Sequence, residues 1–237
     1  LHDAVPLVET RTHDEQVVST GACSKLMRRD FRTFFAKDQL GDFQKGVLRY
    51  RYRDVPCKKC PIDIAIYLRL IWDTKPGTIF EIGSKAGGSA LLFRDLGTLY
   101  GLDIQVVSID LKPPSETFDG IDFVRGNVLS LKKTFRRHDL YRRPRPWLVV
   151  EDSAHTSEAC TAALDFFGRN LLPGEYLVIE DGVLDDLGLA ARYGGGPNAA
   201  IAEYLAAKPT VFEVAADYCD MFGHNATYNP NGYLKKR

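Results

Sequence analysis

Thr78-Ile79-Phe80-Glu81-Ile82-Gly83-Ser84-Lys85-Ala86-Gly87-Gly88-Ser89-Ala90-Leu91-Leu92-Phe93 is the stretch whose reading decides the fold. A β-branched and aromatic run leads to Glu81, a glycine-bearing turn follows from Gly83 to Gly88, and the residues from Ser89 onward favour a helix. The pattern predicts strand, tight loop, helix. In an open α/β sheet such a loop lies at the carboxyl ends of the strands, where a nucleotide-like ligand can rest against the helix N-terminus. A dinucleotide fingerprint, G-x-G-x-x-G, fails because Lys85 stands where the middle glycine must admit a pyrophosphate. A G-x-x-x-x-G-K-[ST] phosphate loop fails too, since Gly88 is followed by Ser89-Ala90.

What remains is E-x-G-x-x-x-G-G, with an acid at the strand end and no phosphate-gripping lysine after the last glycine. This suits a nucleoside carrying positive charge. S-adenosylmethionine is such a ligand: its sulfonium and ammonium favour carboxylates, its ribose needs a clamp, and its adenine needs an apolar slot. Asp110 closes the next predicted strand, Gln105 to Leu111, where a doubly wound fold places a carboxylate on a ribose diol. The bland alternative, a structural turn with incidental glycines, does not account for Asp110.

Outward from this unit the pattern alternates. Strands are expected at 122–125, 147–150 and 176–179, with helices over 62–74, 129–141, 157–171 and 198–207. Pro61 opens the first of these helices and Thr156 caps the third. Two last runs, 211–216 and 226–235, predict a terminal antiparallel hairpin. The fold class is therefore α/β: a doubly wound, mostly parallel Rossmann-like sheet with a C-terminal antiparallel hairpin and an N-terminal helical segment. That segment is read as an arm to about residue 20, an amphipathic helix over Ser24 to Lys37 carrying Leu26, Met27, Phe31, Phe34 and Phe35, and a loop from Gly41 to Asp54.

Composition fixes the outer bounds. At 237 residues with 45% hydrophobic content the chain can bury one sizeable core. Thirty-one basic and thirty-one acidic residues cancel, so no global field draws in nucleic acid or an anionic membrane, and a small-molecule partner is expected. The best apolar run, 62–72, is broken by Asp63 and Arg69 and cannot span a bilayer. The opening Leu1 reads as a trimmed start. Five irregularly spaced cysteines argue against a disulfide framework, and Cys57-Lys58-Lys59-Cys60 lacks a second pair to complete a zinc site. Reduced thiols in a cytoplasmic protein are the expectation.

The chemistry is expected at the strand ends, where Asp110, Asp152, Glu180 and Asp181 make one acidic edge. Asp152, Glu180 and Asp181 offer hard oxygen ligands suited to Mg²⁺, Mn²⁺ or Ca²⁺. Such an ion could bind a substrate hydroxyl and lower its pKa. His155, three residues beyond Asp152, could remove that proton. Each residue also has a plain structural reading as a cap, a turn or a bonded loop residue; their convergence on the glycine loop carries the functional one.

Several segments together resemble the cephalosporin hydroxylase/rhamnosyl O-methyltransferase family. They are Lys59-Cys60-Pro61-Ile62-Asp63 with Tyr67, Glu81-Ile82-Gly83 through Gly87-Gly88-Ser89-Ala90, Asp152-Ser153-Ala154-His155-Thr156, Leu172-Pro173-Gly174 with Glu180-Asp181, and Asn229-Pro230-Asn231-Gly232-Tyr233-Leu234. The resemblance implies an S-adenosylmethionine-dependent O-methyltransferase with cofactor contacts at Glu81, Gly83, Ser84, Gly88, Ser89, Asp110, Asn127, Val128 and Asp152. It implies a magnesium site at Asp152, Glu180 and Asp181, and Asp152 and His155 as catalytic residues, His155 being the base. It also implies an N-terminal cap with homo-oligomer contacts over residues 1–60, a methyltransferase domain over 61–237, and a sugar or natural-product acceptor. A hydroxylase activity finds no support, because a two-histidine, one-carboxylate iron site cannot be assembled from these spacings. The rivals are an NAD-type oxidoreductase, opposed by Lys85, and a non-catalytic oligomer that kept the nucleoside pocket.

Overall fold

The computed structural model describes residues 29–135 and 137–237. Helix α1 (Lys37–Arg49) is followed by a small hairpin, β1 (Arg51–Tyr52) with β2 (Val55–Pro56), and by α2 (Pro61–Thr74). Then come β3 (Thr78–Ile82), α3 (Gly88–Leu99), β4 (Gln105–Asp110), β5 (Ile121–Arg125), α4 (Leu131–Thr134) and α5 (Arg137–Tyr141). The chain continues through β6 (Trp147–Glu151), α6 (Ser157–Gly168), β7 (Tyr176–Ile179), α7 (Gly196–Ala207), β8 (Phe212–Val214), α8 (Ala216–Cys219) and β9 (Tyr233–Lys236).

Seven strands form one sheet in the order β5-β4-β3-β6-β7-β9-β8. The five from β5 to β7 are parallel, and β9 runs antiparallel to both β7 and β8, as expected of the terminal hairpin. All five residues of β3 are buried, as a central strand covered on both faces requires. Alternation sends Phe80 to one face, with Val107, Val149 and Leu177 beneath α6 and α7. Ile79 goes to the other, with Val106, Leu148 and Val178 beneath α2 and α3. Phe80 meets the Trp147 ring edge-on at 5.1 Å and Phe135 at 5.6 Å; burying a side chain of this size stabilises the fold by roughly 1.5–3 kcal/mol.

Three expected elements are corrected. Residues 29–36 are not helical: Arg29 instead pairs with Asp220 and donates to Asn231, and the Thr33 hydroxyl donates to the Asn225 and Thr227 carbonyls. These partners hold the segment as an extended strap despite its helically spaced phenylalanines; the start of the expected helix, 24–28, lies outside the described residues, as does the expected arm. The loop expected from Gly41 is mostly helix α1, whose Leu40 and Val47, with Phe43, pack on Val183 and Tyr228. The single helix expected over 129–141 is broken, because Phe135 turns extended (ψ 122°) and puts its ring between Phe80 and Phe166.

Candidate active site

Parallel pairing of β4, β3, β6 and β7 gathers their carboxyl ends, and the chain order reverses between β3 and β6. A crevice is expected at such a switch point, and a cavity of about 910 Å³ opens there. Its wall holds Gly83, Ser84, Ser89, Asp110, Asn127 and Val128 on one side and Asp152, His155 and Asp181 on the other.

On the first side the glycine loop is built by close approach. Gly83 has φ +108°, and a Cβ there would collide with the Asp152 carbonyl oxygen, so the loop rests directly on the end of β6. The Asp110 carboxylate accepts from the backbone N–H of Lys85 at 3.0 Å and of Lys112 at 2.8 Å, tying the loop to the end of β4. Asn127 Oδ1 accepts from Leu129 N–H at 2.9 Å, and the Ser84 and Ser108 hydroxyls lie 2.6 Å apart. Two expected contacts are placed elsewhere. Glu81 is fully buried, its oxygens accepting from the Ser89 and Ser108 hydroxyls, so it braces the loop from beneath. Burial pushes its carboxyl up, against the opposing pull of Lys59. Gly88 does not line the cavity; it admits the Pro56 carbonyl of the β1–β2 hairpin, which a Cβ would exclude. Leu111 and Leu129, each more than half exposed, also line the cavity and add an apolar surface beside Asp110 and Asn127.

On the second side Asp152, His155 and Asp181 offer ligand atoms that all lie within 4.8 Å of one another. His155 Nε2 is 3.4 Å from Asp181 Oδ2, and its Nδ1 is 3.9 Å from Asp152 Oδ1. Both His155 (φ 55°) and Asp181 (φ 61°) adopt the left-handed conformation. For a non-glycine residue this is uncommon, and it persists where surrounding structure holds it; Asn229 Oδ1 does so at Asp181 by accepting its N–H at 2.9 Å.

Glu180, expected as a third metal ligand, does not join this group. It is 5% exposed, with one oxygen accepting from the Tyr67 hydroxyl and the other from the Lys59 ammonium. Lys59 also reaches Asp152 Oδ2 at 2.5 Å and is itself buried. Burial lowers a lysine pKa, but Asp152 and Glu180 overcome it and hold Lys59 well above its ordinary value. Burial raises Asp152, yet Lys59 and His155 outweigh it and keep that carboxyl below the usual range. Glu180 stays well above that range and Asp181 above it, burial dominating in each. One ammonium thus serves a group of acids that it cannot neutralise, and a further cation fits the Asp152–Asp181 side.

Glu151, behind Asp152, is a buried acid whose Oε1 accepts from Ser153 and whose Oε2 has no partner. Burial pushes it up to about 8. A carboxyl raised on folding contributes stability that is complete below its unfolded pKa and is lost as pH climbs through about 8. Glu151→Gln should abolish this slope, worth on the order of 4 kcal/mol between pH 4.5 and 8.5 at about 1.4 kcal/mol per unit. Urea unfolding at several pH values would show it, and a variant with the wild-type slope would exclude Glu151 as its source. The cysteines within the described residues, Cys57, Cys60, Cys160 and Cys219, are free and buried; Cys57 lies on the cavity wall, and none of the four belongs to the Asp152, His155 and Asp181 group. Among the described residues no helix is long and apolar enough to cross a membrane.

The sheet order, the glycine loop with its acid-closed second strand and the acidic second wall define an S-adenosylmethionine-dependent O-methyltransferase, and comparison with known proteins agrees. The profile of the family described as Rhamnosyl O-methyltransferase/CmcI matches residues 44–237, and the chain belongs to that family. A Rhamnosyl O-methyltransferase of Mycobacterium leprae (strain TN) is 27% identical over 189 residues, covering 77% of this chain and 81% of the relative. Among solved structures, CmcI with Mg and SAM is 26% identical at TM-score 0.61, covering 80% of this chain and 77% of that one. CmcI with SAH is 27% identical at TM-score 0.58, covering 79% and 82% respectively. The nicotinamide alternative is thereby set aside.

Proposed function

We propose that this enzyme methylates a hydroxyl of a sugar or natural-product small molecule with the help of a divalent cation, Mg²⁺ being the leading candidate. The observation that carries the reading is the convergence of Asp152, His155 and Asp181 on the wall of the cavity that the glycine loop also lines. Asp152 Oδ1 and the Asp181 carboxylate are hard donors on the cavity wall, and Mg²⁺ is commonly held by one or two carboxylates plus water and substrate oxygens. Bound there, such an ion would supply Lewis acidity, which lowers the pKa of a coordinated hydroxyl.

The chain's own residues do the rest. Asp110 and the Asn127–Val128 turn hold the nucleoside, the exposed Leu111 and Leu129 cover its base, and the loop beside Gly83 sets the donor methyl toward the second wall. His155, braced by Asp181, takes the acceptor proton at its imidazole nitrogen. Tyr193, whose ring lies edge-on to His155 at 6.1 Å, gives the acceptor an aromatic face. Support for the acceptor class comes from the rhamnosyl activity named for the relative and from the Asp152, His155 and Asp181 side chains on the cavity wall, which can engage a hydroxyl.

Incubation with S-adenosylmethionine and a panel of deoxysugar glycosides should yield products heavier by one methyl group, and chelation of divalent ions should stop the reaction. Turnover that is unchanged after chelation would overturn the metal-assisted reading, whereas donor binding without methylation of any hydroxyl compound would favour the non-catalytic alternative.

A further inference from the structure

Lys59 has no place in the reaction outlined above, yet it is the buried cation of the site. It sits between the β1–β2 hairpin and the first turn of α2, only 3% exposed, and its ammonium joins Asp152 Oδ2 and Glu180 Oε2 across two neighbouring strands. Its position is well fixed. Cys57 N–H donates to the Tyr50 carbonyl at 3.0 Å on one side, and the Cys60 carbonyl accepts from Ile64 N–H at 3.0 Å on the other. Tyr67, on α2, donates to the remaining Glu180 oxygen, so both oxygens of that acid are in use.

We propose that Lys59 is a positioning residue that acts as the resident counter-cation of the ion site, withholding Glu180 and one oxygen of Asp152 so that a divalent ion is held loosely by Asp152 Oδ1 and Asp181. This rests on the divalent-ion reading given above. Two cations sharing one carboxylate repel each other in a poorly solvated site, and a carboxylate engaged by a buried ammonium is a weaker ligand. The arrangement gives Asp152 and Glu180 a shared fixed counter-charge when no ion is bound, and it leaves room for substrate oxygens when one is.

The test is Mn²⁺ binding, followed by the loss of the free-ion paramagnetic signal, with Lys59→Met, Lys59→Gln and Lys59→Arg beside the wild type. The two uncharged variants should bind Mn²⁺ at least about tenfold more tightly as Glu180 becomes available, whereas the arginine variant, which keeps the charge, should not. Melting temperatures without and with Mn²⁺ accompany the titration. The uncharged variants should melt several degrees lower than wild type in ion-free buffer and regain the difference with the ion. If Lys59→Met does not fold, Lys59→Gln, which keeps a hydrogen-bond donor, decides the matter. Wild-type binding with no tightening in the uncharged variants overturns the inference and leaves the ion reading standing. Absence of Mn²⁺ binding in every protein overturns both.

Discussion

Asp181→Asn should lower kcat by at least about a hundredfold while S-adenosylmethionine affinity in ion-free buffer stays within about threefold of wild type. Asparagine is the informative replacement because Asp181 sits at φ 61°, a conformation that asparagine also tolerates. Alanine would add backbone strain of about 1 kcal/mol and confuse a folding defect with a chemical one. The amide keeps the shape but removes the negative charge that faces the cavity and the partner 3.4 Å from His155 Nε2. The donor contacts proposed at Gly83, Asp110 and Asn127 use other side chains and backbone of the cavity lining, so donor affinity should change little. Calorimetry with the donor and single-turnover methylation measure the two quantities separately. A variant that turns over at the wild-type rate would remove Asp181 from the chemistry.

His155→Asn is expected to cost a further class of rate, about 10²- to 10⁴-fold, the range for loss of a positioned proton acceptor. His155 also occupies the left-handed region, at φ 55°, so asparagine again preserves the backbone. The size of the loss should depend on the acceptor. A sugar hydroxyl needs help to shed its proton, whereas a phenol is already far more acidic, so the defect should shrink markedly along a series of increasingly acidic acceptors. Equal losses across that series would assign His155 to orientation alone.

Much of this architecture is legible in the sequence. The strand-turn-helix at 78–93 was legible because its signals are local: a β-branched run, a glycine turn that excludes side chains, then helix formers. Asp110, Asp152 and Asp181 were legible because parallel strands must deliver their ends to one edge, and all three line the cavity. Lys59 stands in the sequence only as part of a family-like segment and carries no role there, since its partners lie 93 and 121 positions away. The same contact explains Glu180: spacing offered it as a ligand beside Asp181, and only the packing of α2 against β7 turns it to Lys59 and Tyr67. The strap at 29–36 shows a second limit. Helical spacing of Phe31, Phe34 and Phe35 was a true signal of burial for some of them, but the bonds from Arg29 and Thr33 to the C-terminal turn set its backbone. Helix α1 escaped notice because Gly41 and Gly46 suggested a loop; both positions are open on their outer side, with no atom near enough to demand a glycine.

The absence of a side chain at Gly83 bears on how this enzyme could be re-engineered. Because the β3–α3 turn lies against the Asp152 carbonyl, the donor turn and the acid-bearing turn form one mechanical block, and neither could be exchanged with a homologue's without the other. The stretch 188–194 is freer, since Gly188 and Gly194 have open space around them while Leu189 and Tyr193 still reach the cavity. New acceptor preferences would best be grafted there, as an interchangeable module over a transfer apparatus left untouched.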